Sequence, residues 1–163
     1  LLKAIKILQN NKKSSILTIV GDGEFMERAK EIANNLEIEN LIKFTGAIYN
    51  PSEIKKYYQN ADIYILPTYH EGFPRTLYEA MIFGTPIITT LVGGISALMK
   101  DSFNCKEIKP KSTDSIVEIL IYAMNNYPKM GELAFNGTKT VLNILTTRRL
   151  SHAEHLNQIL NKK

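Results

Sequence analysis

Two glutamates eight positions apart, Glu71 and Glu79, bracket the run Gly72-Phe73-Pro74-Arg75-Thr76-Leu77-Tyr78 within YHEGFPRTLYEAMIFGTPII, residues 69–88. Pro74 suits the first turn of a helix, where its missing N–H has no intrahelical partner to lose. Gly84 suits the other end, with Pro86 soon after. The segment therefore predicts a helix over 74–83 whose first turn leaves the N–H groups of Arg75, Thr76 and Leu77 unpaired within it. Those donors sit at the positive end of the macrodipole and suit an anion. Leu77, Ala80, Met81 and Gly84 form the stripe expected to face the core. Glu79 falls off that stripe, four residues beyond Arg75 and about 6 Å along the axis. A carboxylate beside such a turn repels bare phosphate but accepts hydrogen bonds from hydroxyls flanking a diphosphate. Sugar hydroxyls, diphosphate and ribose hydroxyls occur in that order in a nucleotide-sugar. The same spacing also allows a plainer reading, in which Arg75 and Glu79 form an i,i+4 surface ion pair and Glu71 is a loop carboxylate.

Other chemistry-bearing residues read as structural. His70 is expected to be a partly exposed loop histidine. His152 and His155 stand three apart on an expected helix and lack a third ligand for a metal. Cys105, the only cysteine, has no adjacent base to activate it and reads as an inert small residue. Tyr57 and Tyr58 read as members of an amphipathic helix packed against a sheet.

The elements that must position the glutamates alternate between strand and helix periods. LLKAIKIL (1–8) opens as a helix with Leu1, Ile5 and Leu8 on one stripe. SSILTIVGDG (14–23) reads as a buried strand ending in a glycine turn. EFMERAKEIANNL (24–36) is amphipathic, with Phe25, Ala29, Ile32 and Leu36 on one face. LIKFTG (41–46) is the next strand, followed by a helix from Pro51 to about Gln59 and a strand in ADIYILP (61–67). After the 74–83 helix come a strand in TPIITT (85–90), a glycine turn with one or two helical turns (92–101), and a short strand in FNCKEIKP (103–110). Helices starting near Thr113, Pro128 and Arg148 end the chain. This alternation predicts right-handed crossovers and a doubly wound, Rossmann-like parallel sheet covered on both faces. Its strand-end loops at 21–23, 46–50, 67–74 and 89–94 share one rim, the usual ligand side. The chain opens on a helix where such a domain normally opens on a strand, so the first strand is expected to be lacking.

The chain has 163 residues, 44% hydrophobic, a one-domain length with enough apolar content for a sizeable core. Twenty basic residues against 16 acidic ones give a net charge of +4. Arg148, Arg149, Lys162 and Lys163 gather at the C-terminal end, but no basic stripe or nucleic-acid motif argues for DNA or RNA. The excess suits an anionic small ligand or an anionic membrane surface. A single cysteine allows no internal disulfide and fits a reducing compartment. No apolar run approaches a membrane span, and lysines interrupt the only candidate leader. A cytoplasmic location is expected, with attachment to the inner face of a membrane as an option.

The stretch EGFPRTLYEAMIFGTPII resembles the E-x7-E signature of retaining glycosyltransferases of family 4, which have the GT-B fold. ILTIVGDGEFMERAKEIANNLEIENLIKFTG, YYQNADIYILPTYHEGFP and TPIITTLVGG follow in the family's order, so the resemblance covers nearly all of 1–125. It implies that residues 1–163 are the C-terminal, donor-binding half of such an enzyme, with 126–163 as its terminal helices. Carried over by position, Glu71 is the group at the reacting sugar, holding its hydroxyls, and Gly72, Phe73 and Pro74 complete the sugar pocket. Arg75, Thr76 and Leu77 meet the diphosphate, Glu79 the ribose, and the 43–46 segment (Lys43, Phe44, Gly46) the nucleobase through its main chain. Gly21 and Gly23 match a turn after a strand, read first as a tight turn. The implied donor is a UDP- or GDP-sugar, the acceptor a saccharide or lipid, and the product a cell-surface polysaccharide or glycolipid. No metal or other cofactor is implied, and transfer is expected to retain anomeric configuration. The family's diphosphate-neutralising Arg and Lys, and an N-terminal domain with the acceptor pocket, have no counterpart here, so the piece alone is expected to be inactive. Two positions depart from the pattern: Pro74 stands where many members have Gly, and DSFNCKEIKP lacks a customary loop glycine. A nucleotide-sugar epimerase of the same architecture and a non-catalytic nucleotide-sugar-binding module are the alternatives.

Overall fold

The computed structural model describes residues 1–13, 15–72 and 74–160. Helix α1 (Leu2–Asn10) leads to β1 (Leu17–Val20), α2 (Met26–Asn35) and β2 (Ile42–Gly46). Then come α3 (Pro51–Asn60), β3 (Tyr64–Leu66), α4 (Arg75–Phe83), β4 (Ile87–Thr89) and β5 (Lys106–Glu107), and α5 (Thr113–Asn125) and α6 (Tyr127–Leu160) close the order.

Every ladder is parallel, as the alternation predicts, but the ladders form two separate groups. β1 pairs with β2, with Leu17 opposite Ile42 and Ile19 opposite Phe44. β3 and β5 flank β4, with Ile65 opposite Ile88 and Ile88 opposite Lys106. Among the described residues no ladder joins β1 to β3. The doubly wound parallel sheet is therefore present among the described residues as two groups of strands, split between β1 and β3.

β4 divides two cores because successive side chains on a strand face opposite ways. Ile88 joins Ala4, Ile5 and Leu8 of α1, Ile116 and Leu120 of α5, and Met130 and Leu133 of α6. Ile87 joins Leu77, Ala80 and Met81 of α4, together with Ile95, Met99, Cys105 and Val141. Helices thus cover both faces of β4. Helix α4 ends at Gly84, whose φ of +70° is the left-handed cap that glycine adopts at least cost.

Two local expectations need correction. Phe25 does not share the core face of α2: it is 65% exposed at the position before the helix, and Ala33 is the residue of α2 that is buried. The last helix does not restart near Arg148, since nothing in TTRRLSHAEHL breaks the helical pattern and α6 runs through to Leu160. The loop lacking a glycine closes without one. Ser102 takes φ +59°, its N–H donates to the Cys105 carbonyl at 2.9 Å, and Asp101 accepts from the Glu107 N–H at 2.8 Å.

Candidate functional site

Helix α4 opens one residue later than the sequence suggests, with Pro74 as an extended N-cap (φ −67°, ψ 134°). Asn50 and Ser112 cap α3 and α5 with their side chains, whereas the N-cap residue of α4, like those of α1 and α2, makes no side-chain cap hydrogen bond. Its first turn nevertheless offers fewer donors than expected. The Leu77 N–H already donates to the Pro74 carbonyl at 3.0 Å, and the Leu77 side chain is fully buried. The donors considered for a ligand therefore narrow to Arg75 and Thr76. Phe73 lies outside the described residues.

The plainer reading of Arg75 and Glu79 is present: Arg75 Nε lies 3.2 Å from Glu79 Oε1. The Arg75 side chain is 91% exposed, so the pair is weak and easily exchanged for another partner. Glu79 itself is 27% exposed, and its other oxygen accepts from the Tyr58 hydroxyl at 3.0 Å. Next to it the Tyr64 hydroxyl donates to Thr76 Oγ1 at 2.7 Å. Burial chiefly raises the Tyr64 pKa. The Thr76 hydrogen bond opposes this, and the charges of Glu79 and Glu71 add to it.

Glu71 and Gly72 are held through their backbone. The Gly94 N–H donates to the Glu71 carbonyl at 3.2 Å. A β-carbon on Gly93 would stand 2.0 Å from the Glu71 carbonyl oxygen, and one on Gly94 2.3 Å from that of Gly72. Only residues without a β-carbon allow this approach. The pair opens the short 3₁₀ helix Gly93–Ala97, which packs into the α4 core through Ile95.

On the same rim, a hollow of about 530 Å³ adjoins the ends of β1 and β2, with Gly23, Phe44, Thr45 and Gly46 on its wall. Asp22, Glu24 and Glu27 face it, with Lys30 as the cation. The Gly21 N–H donates to the Gly46 carbonyl at 2.9 Å, bridging the ends of β1 and β2, and Gly23 lies on the wall of the hollow. Lys43 does not line it: the ammonium lies 5.7 Å from the centre of the Tyr57 ring. A smaller hollow brings Lys109 and Lys111 beside Tyr69, with the Lys111 ammonium 5.5 Å above that ring.

The remaining candidates stay outside this arrangement. His70 is exposed. Cys105 is fully buried, and burial, helped by Asp101 and Glu107, pushes its thiol up to about 12. Among the described residues no group of three or more His, Cys, Asp or Glu could hold a metal. His152, His155, Arg148 and Arg149 fall on α6 where side chains are not described, and Lys162 and Lys163 lie outside the described residues. No described helix is long and apolar enough to cross a membrane.

Residues 1–140 match the profile described as glycosyl transferases group 1. The chain belongs to this family. It is 32% identical over 111 residues to an uncharacterised glycosyltransferase of Methanocaldococcus jannaschii, covering 68% of the chain and 28% of that protein. It is 30% identical over 117 residues to the UDP-Gal:alpha-D-GlcNAc-diphosphoundecaprenol alpha-1,3-galactosyltransferase of Escherichia coli, covering 71% of the chain and 30% of the relative. The group 1 chain thus spans about 30% of these curated relatives. Among solved structures it is similar to Anabaena HepE in complex with UDP. The TM-score is 0.81 at 23% identity, covering 97% of the chain and 44% of HepE. That likeness establishes the fold as one half of a GT-B protein.

Sequence reasoning on this group 1 domain missed Tyr58 and Tyr64 as groups reaching the α4 opening. Their spacing in YYQNADIY marks them as core-facing aromatics, and no local signal gives the direction of their hydroxyls. The tight stacking of Gly93 and Gly94 on the Glu71 loop was likewise invisible. The glycine pair itself was the signal.

Proposed function

We propose that this chain is the donor-binding half of a retaining glycosyltransferase that takes its sugar from a nucleoside diphosphate. The observation that carries the reading is the α4 opening itself: its N-cap Pro74 makes no side-chain cap hydrogen bond, Glu79 lies one turn in, and the Glu71 loop just ahead of it is held by Gly93 and Gly94. In this reading the N–H groups of Arg75 and Thr76 meet the diphosphate. Glu79 accepts from the ribose hydroxyls, and Glu71 holds the transferred sugar's hydroxyls from the loop pinned by Gly93 and Gly94. The hollow walled by Phe44, Thr45 and Gly46 takes the base. HepE, which was crystallised with UDP and with UDP-glucose, supports a uridine nucleotide as the first donor class to try. The galactosyltransferase relative supports a lipid-linked saccharide acceptor.

Transfer proceeds with retention, by attack on the face from which the leaving diphosphate departs, and the leaving phosphate helps to take the acceptor's proton. Glu71 orients the sugar in this account, and charge on the leaving group is met by positioned donors and cations. A partner domain completes the acceptor side, so the 163-residue chain alone binds donor weakly and does not turn over.

Calorimetry with UDP, GDP and UDP-glucose tests the assignment. Glu79→Gln should weaken UDP and UDP-glucose alike by about tenfold, the scale of one charged hydrogen bond. Glu71→Gln should weaken UDP-glucose while leaving UDP unchanged. Equal binding by the parent and both variants would remove the assigned roles, and glycosylated product from the chain alone would refute the need for a partner domain.

A further inference from the structure

We infer that Tyr58 is a positioning residue for nucleotide recognition, holding the Glu79 carboxylate in the orientation that meets the ribose diol. This rests on the reading of Glu79 given above. A glutamate on a helix surface has many rotamers and samples them freely unless something fixes its carboxylate. Glu79 has two partners. Arg75 is almost wholly in water and holds it loosely. Tyr58 approaches from a separate element, α3, and donates to Oε2 at 3.0 Å.

Tyr58 is itself fixed at three points. Its carbonyl accepts from Thr85 Oγ1 at 2.9 Å, and Thr85 is 2% exposed at the end of α4. Its ring packs between Tyr64 and Phe83, each with its centroid 5.6 Å away. Its hydroxyl also lies 3.4 Å from the Thr76 carbonyl, so one phenol touches both the first turn of α4 and the carboxylate one turn on. A carboxylate offers about four lone-pair positions. Arg75 and Tyr58 take one on each oxygen, leaving one on each for a pair of neighbouring hydroxyls. Burial, together with the charges of Tyr64 and Glu79, raises the Tyr58 pKa, so the phenol remains a donor at neutral pH.

The consequence is a defined selectivity. Tyr58→Phe keeps the ring and its packing and deletes only the donor. Its effect should appear in how well the site distinguishes a ribose from a sugar without the diol. The test measures affinities of the full chain for UDP against 2′,3′-dideoxy-UDP, and for GDP against 2′,3′-dideoxy-GDP, using thermal melting as a check of the fold. The parent should prefer the ribose form by about tenfold or more. Tyr58→Phe should lose most of that preference while binding the dideoxy form as the parent does. Adding Tyr58→Phe to Glu79→Gln should lower the preference no further, because residues acting through one contact are not additive. A parent that prefers ribose and a Tyr58→Phe variant that keeps the full preference would overturn this inference and leave the role of Glu79 standing. A parent without any preference would overturn both. A uniform loss of affinity for both sugar forms would mark Tyr58 as merely structural and overturn the positioning role.

Discussion

At Gly93 a β-carbon would lie 2.0 Å from the Glu71 carbonyl oxygen, on a backbone with φ +55°. Neither loop can accept Gly93→Ala without moving, and the left-handed conformation adds about 1–2 kcal/mol of strain for a residue other than glycine. Gly93→Ala should therefore lower affinity for UDP-glucose by about tenfold or more, with a fall in melting temperature from the strain. Ser96→Ala on the same turn removes only an exposed hydroxyl bonded to the Gly93 carbonyl, and should change neither. An unchanged UDP-glucose affinity in Gly93→Ala would show that the clamp does not set the sugar pocket. Glu71 and Glu79 were legible in the sequence because their spacing around a proline-opened helix is a one-dimensional signal. What faces their oxygens was not, since Tyr58 and Tyr64 arrive from other elements.

Elements α3, β3 and α4 are joined by that tyrosine pair, and the junction has a pH dependence. Tyr58 and Tyr64 both have pKa values raised above the model-compound value of 10.0, chiefly by burial, and in the unfolded chain they ionise near it. A group with a raised folded pKa contributes stability that is fully present below the unfolded value and lost as pH climbs toward the folded one. The urea midpoint should hold steady from neutral pH to about 9 and fall above about 10. Tyr58→Phe should make that fall shallower. An identical slope in parent and variant would show that Tyr58 ionises as freely folded as unfolded. Helices α1, α3 and α4 were readable from apolar spacing and punctuation, whereas Phe25 was misplaced because periodicity does not say where a helix begins. The continuity of α6 was missed for want of a local break signal.

Among its described residues the molecule carries two parallel sheets instead of one, and the split decides where its weakness lies. Val20 on β1 is 41% exposed, whereas all three residues of β4 are buried. β4 has a partner on each side, but β1 and β3 each have one edge without a ladder among the described residues. Amide exchange should follow this division: slow throughout β4, and fast for those β1 and β3 amides that point toward the split. Unpaired edges also invite association between chains, so oligomerisation that grows with concentration should accompany the fast exchange. Uniform protection across β1, β3 and β4 would mean that the two sheets are bridged in solution.

The sequence alone determined the alternation of strands and helices, the rim on which the loops gather and the two glutamates at one helix opening. Each of these follows from spacing along the chain and local backbone chemistry. Only the tertiary structure decided that the Leu77 amide is already spent on Pro74, that the Lys43 ammonium lies over the Tyr57 ring, and that Tyr58 takes one oxygen of Glu79. Such contacts join residues distant in sequence or depend on local torsions, and hydroxyl and ammonium directions leave no periodic trace in a chain. The break between β1 and β3 is likewise a tertiary fact, since among the described residues no ladder joins them.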